Sequence, residues 1–251
     1  MPFLTARWSN LVVATFPIAP EIIAKRLPPG VEPDVRDGCA FVSIVAFDFS
    51  HLRALGIPWP LARSFPEINL RFYVRHGKQR GVMFERELVS STAIACLANT
   101  FFGESFRAIP IRRSLRHDEF IVEIVDRFDV GGRTNRIRAV ALEPQAVPKP
   151  GSDEHFFLAH YWGFGKNRRG DAVRFRVEHE PWKCLRVDSY FIDVDWAGVY
   201  GAEWGVLSGV TPCSVIVTPG SAVAVHRKIA LRQEESHQPN RSSFQGSPCM
   251  W

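Results

Sequence analysis

Polar residues alternate with apolar ones along the segment from residue 67 to residue 74. The polar positions are Glu67, Asn69, Arg71 and Tyr73. A period of two indicates a β-strand with two chemically different faces. A carboxylate, an amide, a guanidinium and a phenol on one face can orient a small carboxylate or carbonyl compound and move a proton.

The direction of this polar face decides between three interpretations. If the face points to water, it is an ordinary solvated surface, which is the commoner arrangement for an arbitrary strand. If it points into the protein, Glu67 and Arg71 either form a salt-bridge ladder that supports strand pairing or line a polar pocket. The alternation itself does not choose between them.

Three residues further along the chain are additional candidates. Val82 to Leu88 is predicted to return as a second strand, so Glu87 is either a second carboxylate in the same cavity or an external charge. Asn99, on the helix predicted next, is either a ligand-binding amide or a hydrogen bonder at the helix exit. Tyr161, beside His160, is either a pocket wall or a core tyrosine with a satisfied hydroxyl.

The sequence lacks the usual motifs of metal and cofactor sites. His155 and His160 are five apart on one predicted helix and so point to different faces, and no H-E-x-x-H or Cys/His cluster occurs. No P-loop and no G-x-S-x-G elbow is found, and GFGKNRRG at 163–170 has the wrong glycine spacing for a dinucleotide fingerprint. We therefore expect no metal and no cofactor.

Composition restricts the partners and the compartment. The formal charge of +5 comes mainly from arginine and is spread along the 251 residues, which argues against nucleic acid as a partner. The apolar stretch Leu11 to Ile18 is too short to span a membrane and is broken by Pro17. The cysteines are odd in number and unpaired in spacing, which predicts reduced thiols and a cytoplasmic protein. A homo-oligomer stays open.

Many short strands in hairpins, with two or three isolated helices, predict a mainly β protein of α+β type. The helices are expected at Pro20 to Leu27, from Ser90 or Ser91 to Gly103, and from Ser152 to about Trp162. Ser50 to Pro66 is predicted as a long connection, either a lid or a covering loop.

The domain organisation follows from the distribution of the predicted strands. The linker-like run at 143–152 is interpreted as a connection within one domain, which spans residues 1–232. Asp37-Gly38 predicts a hairpin between Val31 to Arg36 and Cys39 to Phe49. Residues 233–251 are polar and are expected to form a disordered tail.

Several runs of the sequence match one known pattern. They are W-S-N-L at 8–11, L-P-P-G-V-E at 27–32, D-G-C-A-F-V-S at 37–43, E-I-N-L-R-F-Y-V at 67–74, H-F-F-L-A-H-Y at 155–161 and E-P-W at 180–182. With these runs the chain resembles the uncharacterised YqjF-like conserved proteins, a branch of the acetoacetate decarboxylase-like superfamily, from Phe3 to about Leu231. The resemblance implies an antiparallel β-barrel or cone that encloses a small cavity, and hence an inward direction for the polar face.

The chemistry of that superfamily carries over only in part. The true decarboxylases use a Schiff-base lysine a short way beyond an R-E-L sequence. Arg86-Glu87-Leu88 matches that sequence here, but Ser90 to Phe102 contains no lysine. Where relatives commonly have a Glu-Arg pair, this chain has Ala159-His160.

The sequence thus predicts an internal pocket for a small anionic or carbonyl compound. The enzyme interpretation is of lyase or hydrolase type, with Glu67 and Glu87 in proton transfer, Arg71 in anion binding, and Asn69 and Tyr73 in orientation. The alternative is a non-catalytic binding protein that uses the same pocket.

Overall fold

A computed structural model describes residues 1–59, 64–102 and 105–231. The strands are β1 (Leu4–Ile18), β2 (Glu32–Pro33), β3 (Ala40–Ala54), β4 (Ile57–Pro58), β5 (Ser64–His76), β6 (Gln79–Val89), β7 (Phe106–Ala108), β8 (Ile111–His117), β9 (Ile121–Val130), β10 (Arg133–Ala146), β11 (Trp162–Lys166), β12 (Ala172–His179), β13 (Cys184–Asp193), β14 (Ser214–Val225) and β15 (Ile229–Ala230). The helices are α1 (Pro20–Ala24), α2 (Thr92–Phe102), α3 (Asp153–Leu158), α4 (Trp196–Tyr200) and a 3-10 helix (Ala202–Leu207).

The strands build a cone-like sheet with one long extension. In the cone, β6, β5, β3, β1 and β14 are antiparallel neighbours, and β11 joins β6 in parallel. Strand β12 pairs with β11 on one side and with the end of β14 on the other. The extension continues from β14 through β13, β10 and β9 to β8. The predicted mainly β, cone-like architecture is confirmed.

Strand β5 is buried on both faces. Its apolar residues Ile68, Leu70, Phe72 and Val74 are fully buried in the core outside the cone, where Phe72 stacks on Trp204 at 6.3 Å. The opposite face points into the cone, so the solvated interpretation of the polar residues is wrong. A period of two could not reveal this, because a strand between two cores and a strand at the surface alternate alike.

A β-bulge on β6 determines which of its residues face the cone interior. Leu70 pairs with Arg86 and Arg71 pairs with Phe84, which leaves Glu85 as the extra residue. Because of this insertion Phe84 and Glu87, three positions apart, lie on the same face of the strand. Glu85 points the other way, where it accepts a hydrogen bond from Trp204 Nε1 at 3.1 Å.

The helices differ from the sequence prediction in number and length. The described residues hold four α-helices and one 3-10 helix rather than two or three helices. Ser152 caps α3 as predicted, accepting from the His155 amide at 3.2 Å, but the helix ends at Leu158. The chain then continues as β11, which begins at Trp162, where the helix was expected to end. Helix α4 was missed, although Asp195 caps it by accepting from the Gly198 amide at 3.0 Å.

One predicted connection is largely sheet, and the strands of one predicted hairpin pair differently. Strand β3 runs on to Ala54 and forms a hairpin with β4, so most of the expected loop from Ser50 is sheet. Arg36 and Cys39 form a bridge around the predicted Asp37-Gly38 turn, but β2 pairs with β5 rather than with β3. Residues 60–63, the predicted helix exit at Gly103 and the predicted tail at 233–251 lie outside the described residues.

The cysteines only partly follow the expectation of reduced thiols. Cys96, Cys184 and Cys213 are free. Cys39 takes part in a disulfide bond, so the expectation is wrong at that position.

The junction of β6 and β11 yields a stability prediction. A Cβ atom at Gly81 would collide with the backbone carbonyl oxygen of Trp162, and Gly81 does not adopt a positive φ. Gly81→Ala should therefore reduce the free energy of unfolding by about 1–3 kcal/mol through overpacking. Urea denaturation followed by tryptophan fluorescence measures this change.

The matched control is Gly165→Ala on β11, where a Cβ would lie at an ordinary 3.8 Å from Val173 Cγ2. It should change the free energy of unfolding by less than about 1 kcal/mol. Equal effects at the two glycines would contradict the close approach of β6 and β11.

Candidate ligand-binding cavity

A cavity of about 380 Å³ lies inside the cone. Most of its wall is apolar and comes from the inward faces of β1, β3, β5, β6 and β12. Its polar side chains are Glu67, Asn69, Arg71, Glu87, His160 and His179, together with His226, Arg227 and Lys228 on the segment after β14. A concave, mainly apolar site with a few convergent polar groups is typical of small-molecule binding sites.

The strand register arranges the polar groups in order along β5. Arg71 pairs with Ser43 on β3 and with Phe84 on β6. Asn69 pairs with Val45 and Glu87 on the same two strands, and Glu67 pairs with Phe47 and Val89. Phe65, near the start of β5, pairs with Phe49 on β3. The guanidinium therefore belongs to one end of this wall and the aromatic rings of Phe49 and Phe65 to the other. Glu87 reaches the level of Asn69 because of the bulge on β6.

Arg71 is buried without a carboxylate partner. Its side chain donates from Nη2 to the Phe157 carbonyl oxygen at 3.3 Å and lies 5.7 Å from the Tyr73 ring. Its Nε has no hydrogen-bond partner, and no carboxylate of the described residues lies within 4.0 Å of the guanidinium. The salt-bridge ladder between Glu67 and Arg71 is therefore not formed.

Glu67 is 4% exposed and accepts a hydrogen bond from Asn69 Nδ2 at 3.1 Å. Burial raises the pKa of its carboxyl group to about 7, while the Asn69 hydrogen bond acts in the opposite direction. Asn69 Oδ1 is buried and has no partner. The pair thus places a carboxyl group that titrates near neutral pH beside an unsatisfied acceptor.

His160 is a neutral imidazole at the cavity wall. Burial, followed by the charges of Arg71 and Arg80, lowers its pKa to about 3, against a weaker opposing effect of the Phe156 backbone. Neither ring nitrogen makes a hydrogen bond of normal geometry within the described chain. A neutral imidazole can donate one hydrogen bond and accept another, so His160 is equipped to contact a ligand.

Three sequence candidates lie outside the cavity lining, and their contact with a ligand stays a prediction. Tyr73 is on the same face of β5 as Arg71 but does not border the cavity. It is fully buried, and its hydroxyl lies 2.7 Å from Ser43 Oγ. Asn99 is exposed and satisfies the Phe106 backbone with both amide atoms, at 2.8 and 2.9 Å. Tyr161 stacks on His179 at 4.8 Å. In each case a neighbouring residue contacts the polar or aromatic group that was expected to contact a ligand.

The structure also adds lining residues that sequence reasoning missed. His160 was considered only as a wall beside Tyr161, and His179 was not singled out. Lys228, on the segment after β14, lines the cavity with its Nζ 5.5 Å from the Phe175 ring centre. The alternation of β12 and β14 could have indicated which of their residues face inward. Those residues reach this cavity because the two strands pair with each other, which the alternation does not show.

The described ranges 1–59, 64–102 and 105–231 contain neither a metal-binding cluster nor a membrane-spanning helix. Within them no group of three or more His, Cys, Asp or Glu side chains could hold a metal ion. In the same ranges no helix is both long and apolar enough to cross a membrane.

The buried carboxyl group of Glu67 predicts a pH-dependent stability. Its pKa in the folded protein, about 7, is higher than the 4.5 of an unperturbed glutamate, so the folded state binds the proton more tightly. This contribution to stability is fully present below pH 4.5 and is lost as the pH rises through 7. Glu67→Gln should therefore stabilise the protein at pH 8, by about 1–3 kcal/mol, and have little effect at pH 5.

Thermal melts of wild type and variant at both pH values test this prediction. Glu123→Gln is the control, because Glu123 is partly exposed and paired with Arg138 at 2.7 Å. A Glu67→Gln variant that is less stable than wild type at pH 8 would show that the charged carboxylate is favourable where it lies.

Solved structures with the same fold are enzymes by their names. An acetoacetate decarboxylase-like enzyme from Sphingomonas wittichii RW1 matches with a TM-score of 0.64 and 13% identity, over 92% of this chain and 94% of that chain. The enduracididine biosynthesis enzyme MppR complexed with pyruvate matches with a TM-score of 0.62 and 14% identity, over 92% and 91%. Acetoacetate decarboxylase from Legionella pneumophila matches with a TM-score of 0.59 and 11% identity, over 92% and 88%. At these identities the likeness shows the fold.

Sequence relatives give the family. The uncharacterized protein YqjF of Bacillus subtilis (strain 168) is 36% identical over 97 residues, which are 38% of this chain and 40% of that protein. The aligned stretch thus spans less than half the length of this relative. The model of DUF2071, described as an uncharacterized conserved protein, matches residues 5–222. The resemblance to YqjF-like proteins is confirmed, the fold is that of acetoacetate decarboxylase-like structures, and the chain belongs to the DUF2071 family.

Proposed function

We propose that the cone interior binds a small anionic or carbonyl compound and catalyses a proton-transfer reaction of lyase or hydrolase type on it. The observation that carries the proposal is the buried guanidinium of Arg71, which lines the cavity and has no carboxylate partner within residues 1–59, 64–102 and 105–231. A buried charge with no counter-ion costs stability. A ligand carboxylate would remove that cost by supplying the missing charge and hydrogen bonds.

The groups beside Arg71 suit a reaction on a carboxylate or carbonyl compound. Glu67, with a pKa of about 7, is partly protonated at neutral pH and can both give and take a proton. Asn69 keeps a free acceptor oxygen for orientation, and Glu87 supplies a second carboxyl group on the neighbouring strand. His160 can donate to a ligand oxygen while staying neutral.

Imine chemistry is not part of the proposal. The stretch Ser90 to Phe102, where the resemblance would place a Schiff-base lysine, contains none. Lys228 lines the cavity, but it lies on the segment after β14 and not in the stretch that the resemblance indicates. The reaction is therefore assigned to the carboxyl groups.

The same cavity supports a second candidate, a binding protein without chemistry. The observation in its favour is the largely apolar wall, which confers affinity but supplies no reacting group.

The partners and the compartment stay predictions from the sequence. They are a small-molecule ligand, no nucleic acid and a cytoplasmic location, while a homo-oligomer stays open. The division of the chain into one domain at 1–232 and a tail also stays a prediction.

Removal of the Arg71 charge tests the anion site. Ligands that bind only the folded state raise its stability, by about 2.7 kcal/mol at a concentration of one hundred times Kd. A panel of small monocarboxylates should therefore raise the melting temperature of the wild type by several degrees, and Arg71→Met should remove this shift. Differential scanning calorimetry with and without the acids measures it.

Arg75→Met is the matched control, since Arg75 lies on the same strand but pairs outside the cavity with Glu32 at 2.8 Å. It should retain the ligand-induced shift. An identical shift in Arg71→Met and wild type would remove Arg71 from the site, and no shift with any acid in wild type would contradict the proposal.

Borohydride trapping tests whether a lysine reacts. After incubation with a β-keto acid and sodium borohydride, peptide mass mapping should find no reduced adduct on any lysine. An adduct on Lys228 that disappears in Lys228→Met, together with release of carbon dioxide, would show that the reaction proceeds through an imine.

A further inference from the structure

We infer that the ligand is a monocarboxylate with an aromatic or similarly bulky apolar body, rather than a two- to four-carbon acid. The inference rests on the proposed function of the same cavity and specifies its substrate class. Three independent observations support it: the size of the cavity, the order of groups along its wall, and the charge at one part of its lining.

The volume exceeds the needs of a very small acid. A water molecule occupies about 30 Å³ of the liquid, so 380 Å³ has room for roughly a dozen water-sized groups. A three-carbon acid would leave more than half of this space to be filled by water. Water is poorly held there, because it needs two to four polar partners and most of the wall is apolar.

The order of groups along β5 separates a polar end from an apolar end. Arg71, Asn69 and Glu67 follow one another on the inward face, and Phe65 comes next. At about 3.4 Å per residue, the backbone positions of Arg71 and Glu67 are about 14 Å apart, and Phe47 on β3 lies opposite Glu67, so the aromatic end begins about 14 Å from Arg71. A ligand that meets both ends must carry its carboxylate and its apolar body at opposite ends.

The apolar end is a cluster of aromatic rings. Phe49 stacks on Phe65 with ring centres 5.0 Å apart and planes 10° apart. Trp8 lies 5.4 Å from Phe47 and 6.3 Å from Phe49. All four line the cavity, so an arene can extend this stack with the offset or edge contacts that aromatic pairs prefer.

The segment that follows β14 adds positive charge to the lining. Arg227 and Lys228 both border the cavity, Arg227 being exposed and Lys228 partly buried. Cationic groups at the boundary of an apolar cleft raise the local concentration of anions and speed their entry. This favours a carboxylate over a neutral arene as the ligand.

The experiment compares ligands with the same head and different bodies on the wild-type protein. Isothermal titration calorimetry at pH 7 measures the Kd of propanoate, 3-phenylpropanoate, pyruvate, phenylpyruvate and the neutral 3-phenylpropanamide. Each phenyl acid should bind at least tenfold more tightly than its parent, and the amide should bind at least tenfold more weakly than 3-phenylpropanoate.

Two variants locate the two ends of the ligand. Phe47→Leu should weaken 3-phenylpropanoate several-fold and leave propanoate unchanged, whereas Arg71→Met should weaken both. Phe72→Leu is the control for loss of a buried ring, because Phe72 lies on the outer face of β5. It should leave both affinities unchanged.

Propanoate and pyruvate that bind as tightly as their phenyl derivatives would overturn the inference and leave the proposed anion site standing. An amide that binds as well as the acid would overturn the requirement for a carboxylate. Failure of every acid to bind wild type would overturn the proposed function and the inference with it. Because the wild-type comparison needs no variant, it decides even if Phe47→Leu does not fold.

Discussion

Strand β5 is covered on both faces, and its inner face carries a carboxyl group and a guanidinium that do not pair with each other. Burying such groups costs stability unless partners satisfy them. The outer face of the strand makes this arrangement tolerable, because Ile68, Leu70, Phe72 and Val74 are all fully buried in the core outside the cone. The strong apolar face keeps the register fixed, and a slip by one residue would exchange the two faces.

The rest of the site depends on elements that hold this wall in place. The bulge at Glu85 brings Phe84 and Glu87 to the same face, and Glu85 itself is tied to Trp204 and Arg26 outside the cone. Helix α3 places the Phe157 carbonyl oxygen against Arg71. The unpartnered atoms of Arg71, Asn69 and His160 therefore belong to well-supported side chains, which is the preorganisation that a binding site requires.

Much of this architecture could be predicted from the sequence, and the reasons for the rest are physical. The alternation in 67–74 predicted β5 and its two faces, and the resemblance implied the inward direction. The bulge could not be predicted, since no glycine or proline marks it. Neither could the pairing of β12 with β14, a contact distant in sequence that brings His179 to the cavity. Asn99, Tyr73 and Tyr161 were assigned to the site by residue type, and each meets a closer partner instead.

The fold is shared with enzymes at 9–14% identity, which leaves the chemistry to the residues of this chain. Arg71 meets no carboxylate of the described residues, and the proposed function assigns its guanidinium to a ligand carboxylate. A crystal structure of the protein soaked with 3-phenylpropanoate is the decisive test of this assignment, which places the carboxylate within hydrogen-bond distance of Arg71 and the ring against Phe47. Water alone beside Arg71 at saturating ligand, or the acid bound outside the cone, would contradict it.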